Sequence, residues 1–260
     1  FSIIFIFTRL RDIVFVMAAD LHQSQKEHSP ESAANHVETR YPSAYDVEGQ
    51  AKPTSASPLG IGNPSPLGLF SFATGIFLIA TVNLHARDIA TPNLIIGVLL
   101  FFGGTGQFLS GIMEFARGNT LGATLWCSYS AFNLSYSMIY IPGTGIMSAY
   151  TGANDNDINP EFYQALAMYC WAWFIMNVLY TVAAIRSNWV LFLDLVVLDL
   201  AFLLLAVGYM TQSNAVLKAG FSVLLVTAFL SYWLGCAILW GEGATPFNLP
   251  TFAMYENRQE

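Results

Sequence analysis

Between Pro53 and Pro250 only twelve residues are Asp, Glu, Lys or Arg: Arg87, Asp88, Glu114, Arg117, Asp155, Asp157, Glu161, Arg186, Asp194, Asp199, Lys218 and Glu242. The gaps between them define six apolar spans at about residues 66–84, 93–114, 121–141, 163–185, 188–210 and 217–240, each near the ~20 residues a helix needs to cross hydrocarbon. A membrane β-barrel would show shorter segments of alternating polarity. Charged residues make up 10% of the chain, against about 25% in soluble domains. The spacing therefore predicts an all-α membrane protein with six transmembrane helices. No basic patch for nucleic acid is present. Cys127, Cys170 and Cys236 fall within spans and read as small apolar core residues.

The flanks differ in character. Residues 18–60 are rich in Ser, Ala, Glu, His and Pro, a composition that predicts a disordered tail over 1–60. Residues 1–16 are apolar but interrupted by Arg9, Arg11 and Asp12. They read as a signal-like segment or, preferentially, as translated sequence upstream of a start at Met17. His22, His28 and His36 lie in this tail and read as solvated residues, so no metal site and no cofactor are expected. The membrane domain is expected over 61–242 and a second tail over 243–260. Six spans put both termini on one side. A cytoplasmic placement leaves Lys52, Arg117, Arg186 and Arg258 inside against Arg87 and Lys218 outside, which agrees with the positive-inside rule. The acidic loop 154–161 then faces out, and a plasma-membrane location is expected.

The first span opens on Asn63-Pro64-Ser65-Pro66-Leu67-Gly68-Leu69. Prolines two apart each lack an amide donor and disfavour α geometry in the preceding residue. An irregular entry into the helix follows, of the kind that holds anions where it lines a cavity.

Polar residues inside the spans fall on faces. In span 2, Gly103, Gln107, Ser110, Gly111 and Glu114 share one side, read first as a small-residue packing seam in which the Gln107 amide needs partners. In span 3, Tyr129, Asn133, Tyr136 and Tyr140 form a stripe. It is either an interhelical hydrogen-bonding seam or a pore wall. Span 5 carries Asp194 and Asp199, intramembrane carboxylates that are functional or structural candidates. Five positions apart, they cannot face one narrow lumen together. Asp194 lies one turn from Leu198, and Asp199 points toward another helix or subunit. No nucleotide loop, zinc set or nucleophile–base arrangement appears, so an enzyme is not expected.

These blocks together resemble the acetate uptake transporter family of fungi, bacteria and archaea. The heptapeptide 63–69 is similar to its signature. Glu114 with Gly118-Asn119-Thr120-Leu121-Gly122 and Ser128-Tyr129-Ser130-Ala131-Phe132 is similar to its second block. Tyr140-Ile141-Pro142 and Leu203-Leu204-Leu205-Ala206-Val207-Gly208 resemble its fungal branch. The resemblance implies six membrane helices per protomer, one pore in each protomer and a homohexamer. It implies transport of acetate and other small carboxylates with protons. It places the narrowest point at Phe72, Tyr129 and Leu198, with Asn63 and Gln107 as polar partners. Ser65, Ser130 and Asn133 stand where the family generally has Ala or Val, Gly, and Trp, and Leu249-Pro250 keeps part of the family's ending. The expected mechanism holds a carboxylate at the positive end of the first helix with Asn63, Tyr129 and Gln107, gated by Phe72–Tyr129–Leu198. Glu114, Asp194 and Asp199 are assigned structural or coupling roles. An ammonium exporter and a non-transporting membrane sensor are the alternatives.

Overall fold

Pro64 and Pro66 shape the start of the first helix, α1, Ser65–Asn83. Neither ring has an amide to offer, and at the first turn none is needed. The Asn63 Oδ1 accepts from the Ser65 amide at 3.1 Å. The irregular entry expected from the two prolines is therefore short: helical geometry is established by Ser65.

The computed structural model describes residues 62–89, 91–151, 158–241, 245–246, 248–252 and 254, all within one unit, Ser43–Glu260. The expectations for 1–60, Met17 and the tail histidines included, lie outside the described residues. So does the first half of the acidic loop. After α1 come α2, Asn93–Ala116; α3, Thr120–Tyr140; α4, Pro160–Ala183; α5, Trp189–Thr211; and α6, Asn214–Trp240. Among the described residues there is no strand, only an isolated bridge between Thr151 and Ile158.

Asparagine starts three of these helices. Asn119 Oδ1 accepts from the Gly122 amide, Asn159 Oδ1 from Glu161 and Asn188 Oδ1 from Leu191, each satisfying a donor that the helix leaves orphaned. The start of α5 has further partners. The amides of Trp189 and Val190 donate to the carbonyls of Phe252 (2.9 Å) and Thr251 (3.4 Å). The Trp233 indole of α6 donates to Pro250 O at 3.0 Å. Thr251, where the family ending is lost, thus packs against the bundle and is buried.

Among the described residues, five helices are long and apolar enough to cross a membrane: Ser65–Asn83, Asn93–Ala116, Pro160–Arg186, Trp189–Thr211 and Asn214–Trp240. Of the six spans expected, the third is not among these five, because α3, at 21 residues, has the length but not the hydropathy. Its Ser, Asn and Tyr residues lower the average, and a helix enclosed by its neighbours does not need an apolar surface. Tyr129, Ser130, Asn133, Tyr136 and Ser137 of α3 are all buried. α5 packs between α4 and α6, α6 packs on α1, and α2 packs on α3 and α1.

α2 is not uniform. It runs as an α-helix over Asn93–Val98, as a π-helix over Leu99–Gly106, and as an α-helix again over Gln107–Ala116. π-helical turns re-aim neighbouring side chains and expose carbonyls to outside donors. α3 supplies those donors: Ser130 Oγ reaches Gly104 O at 2.8 Å and Asn133 Nδ2 reaches Gly103 O at 3.1 Å.

Candidate functional site

A small apolar cavity of about 20 Å³ lies within the bundle. Its walls come from α1, α3, α4, α5 and α6, through Phe72, Ile79, Tyr136, Cys170, Phe202 and Leu224 among others. α2 contributes nothing, so Gln107 and Glu114 stand behind α1 and α3.

The cavity stops at one layer. Phe72 lines it, but Tyr129, one turn from the lining Phe132, does not, nor does Leu198, one turn from the lining Phe202. All three are buried in one apolar cluster. The Phe72 and Tyr129 rings meet with centroids 4.7 Å apart, tilted by 31°. The Tyr180 ring stands edge-on to Tyr129 at 6.0 Å.

Tyr129 has a polar tether. Its hydroxyl donates to Asn177 Oδ1 on α4. Asn177 Nδ2 donates in turn to Leu195 O at 2.9 Å and Asp199 Oδ1 at 2.7 Å. Thr181 Oγ1 donates to Asp199 Oδ2 at 2.7 Å. Asp199 thus turns toward α4, one of the two directions open to it. Asp194 turns the other way, accepting from Ser231 Oγ of α6 at 2.8 Å. Its Oδ1 has no partner among the described residues. Five positions apart, and so about 140° apart around the helix, these carboxylates are divided between two helix interfaces. Asn177 and Thr181 were missed by the sequence reading. The signal was available, since the pair is spaced i, i+4 in the apolar second half of α4, the pattern used for α3.

Asn63 has different partners from Gln107 and Tyr129, which share the Asn133 amide. Asn63 Oδ1 accepts from Arg117 Nη1 at 2.9 Å besides capping α1. Beside it Ser65 Oγ donates to Glu114 Oε1, Asn119 Nδ2 donates to Glu114 Oε2 at 2.8 Å, and Ser110 Oγ donates to Pro64 O at 2.7 Å. The fully buried Glu114 carboxylate therefore gathers the start of α1, the end of α2 and the start of α3. Ser65, a departure from the family pattern, supplies one of its donors.

Gln107 belongs to a second cluster. Asn133 Nδ2 donates to Gln107 Oε1, Gly103 O and Tyr129 O, each at 3.1 Å. A Cβ on Gly75 of α1 would lie 2.7 Å from Asn133 Oδ1, and one on Gly103 would lie 2.9 Å from Asn133 Cγ. Asn133 fills the gap two glycines leave between α1 and α2, away from the cavity walls. Within the stripe, Tyr136 lines the cavity and bonds Tyr140 across 3.0 Å, while Asn133 lies in the seam.

Comparison with known proteins gives the following. The family described as GPR1/FUN34/yaaH matches residues 47–256. The chain is 34% identical over 244 residues to Acetate permease A of Emericella nidulans, covering 90% of this chain and 80% of that protein. It is 39% identical over 194 residues to Accumulation of dyads protein 2 of Saccharomyces cerevisiae, covering 73% and 67%. It is 34% identical over 171 residues to Ammonia transport outward protein 2 of the same yeast, covering 66% and 59%. The solved structure of the bacterial acetate channel SatP superposes with a TM-score of 0.63 at 24% identity, over 73% of this chain and 99% of that one.

Proposed function

Because the chain belongs to the GPR1/FUN34/yaaH family, and is with its apolar helices a multi-pass membrane protein, we propose that it moves acetate and similar small carboxylates across a membrane. The observation that carries this reading is the cavity ending at Phe72, where the Phe72 and Tyr129 rings close on each other. An apolar chamber suits the methyl end of a short acid and rejects strongly hydrated solutes. The Tyr129 hydroxyl is carried by the ring that meets Phe72 at this end, and it serves the carboxyl group as donor. Phe72, Tyr129 and Leu198 form the gate. The cluster around Asn63, Arg117 and Glu114 ties helix ends together and sets where that gate sits, so the anion-holding role expected of Asn63 passes to Tyr129.

The wider assembly follows the same reading. α3 is a sixth membrane crossing, shielded from lipid by its neighbours, and each protomer of a homohexamer carries its own pore. Residues 61–242 form the membrane domain, with tails before and after. Both termini are cytoplasmic, since Arg117 and Arg186 then sit inside, and the membrane is the plasma membrane. Protons accompany the carboxylate. The chain is a carrier or channel, not an enzyme.

Ammonium export is the second reading, favoured by the likeness to a yeast protein named for outward ammonia transport. Radiolabelled acetate uptake in cells stripped of other carriers tests the first reading, with ammonium efflux followed in the same cells. Saturable acetate uptake absent from untransformed cells is expected. Efflux without uptake would replace the first reading by the second.

A further inference from the structure

Among the described residues the Tyr129 hydroxyl makes one hydrogen bond, to Asn177, and its acceptor is itself fixed. Asn177 is fully buried. Its amide cannot turn over, because Nδ2 already faces a carbonyl, Leu195 O at 2.9 Å, and a carboxylate, Asp199 Oδ1 at 2.7 Å. Both accept only, so Oδ1 must face Tyr129, and Tyr129 must donate. The other Asp199 oxygen is held by Thr181 at 2.7 Å. The chain Thr181–Asp199–Asn177–Tyr129 thus runs across the α4–α5 interface to the ring that meets Phe72.

We infer that Asn177 is a positioning residue for the constriction: it holds the Tyr129 ring closed, and a substrate carboxylate opens the ring by replacing Asn177 as the acceptor of its hydroxyl. This rests on the transport reading above. Swinging Tyr129 aside breaks the bond and strands two buried polar groups, a penalty that opposes spontaneous opening. A carboxylate arriving at the hydroxyl removes the hydroxyl's share of that penalty, and a charged acceptor makes a stronger bond there than the amide oxygen it replaces. A solute without an acceptor gains nothing, whatever its size. Selectivity in this scheme comes from the exchange of partners as well as from the width of the gap.

The test follows the ring directly, in the full-length protein reconstituted in lipid, with meta-fluorotyrosine at position 129 and fluorine NMR. One resonance should dominate in the wild type. Asn177→Leu should populate a second, shifting the ratio by up to about tenfold, the worth of one buried hydrogen bond. Acetate added to the wild type should raise the same second resonance. Thr181→Val, which removes one donor from Asp199 and leaves Tyr129 and Asn177 intact, should move the ratio the same way by less. It serves if Asn177→Leu fails to fold. In uptake assays Asn177→Leu should raise lactate uptake relative to acetate, and the rise should vanish in a Tyr129→Phe background, where no hydroxyl is left to tether. An unchanged resonance ratio in either variant overturns the inference, as does an equal rise in the Tyr129→Phe background. Wild type that carries no acetate overturns the transport reading instead, while the resonance ratio still decides the tether.

Discussion

At Phe72 the ring contact with Tyr129, 4.7 Å between centroids, is the bulk that ends the cavity. Phe72→Ala should open that layer and admit lactate and succinate alongside acetate, read as new competitors in uptake by a correctly assembled mutant; an unchanged competitor range would remove Phe72 from the gate. Asn133 leads to a different expectation. The Trp that the family resemblance implies at this position suggests that Asn133→Trp would restore a wall and favour acetate. The side chain instead sits between Gly75 and Gly103, so close that a Cβ added to Gly75 would lie 2.7 Å from its oxygen. An indole does not fit that gap without separating α1 from α2, and overpacking of this kind costs about 1–3 kcal/mol or more. Asn133→Trp should therefore lower the thermal midpoint of the solubilised protein by several degrees. An unchanged midpoint with altered acetate competition would return Asn133 to the pore wall.

Among the elements, the spans were legible because charge cannot be scattered through a bilayer. The expected 66–84, 93–114 and 188–210 fall within about two residues of the helices observed. The facing of residues was less legible. A stripe at 3.6-residue spacing says that Tyr129, Asn133 and Tyr136 share a side, not which neighbour each meets along that side. The π-helical stretch of α2 has no signature in apolar periodicity, although its carbonyls account for Ser130 and Asn133. Asn63 pairs with Arg117, 54 positions away, and nothing local to the heptapeptide announces that. Packing of α1 on its neighbours turns on Gly68, where a Cβ would meet Trp126 Cδ2 at 2.7 Å and Ser110 Oγ at 2.8 Å. Gly68→Ala should move that indole, lower the thermal midpoint and reduce transport together. Reduced transport at an unchanged midpoint would show that Gly68 acts on the path and not on packing.

For the whole molecule, the polar composition of the N-terminal flank predicts that deleting residues 1–50 leaves membrane insertion and assembly intact. Native sizing of the truncated protein in detergent checks this, and loss of the oligomer would make the tail structural. The other terminus behaves differently, because the carbonyls of Thr251 and Phe252 receive the amides of Val190 and Trp189. Those amides are synthesised about sixty residues before their acceptors, which at about 5–20 residues per second is a wait of several seconds. Through that interval the first two amides of α5 lack these acceptors. The head of this helix is thus completed from outside its own hairpin, by a segment about sixty residues downstream.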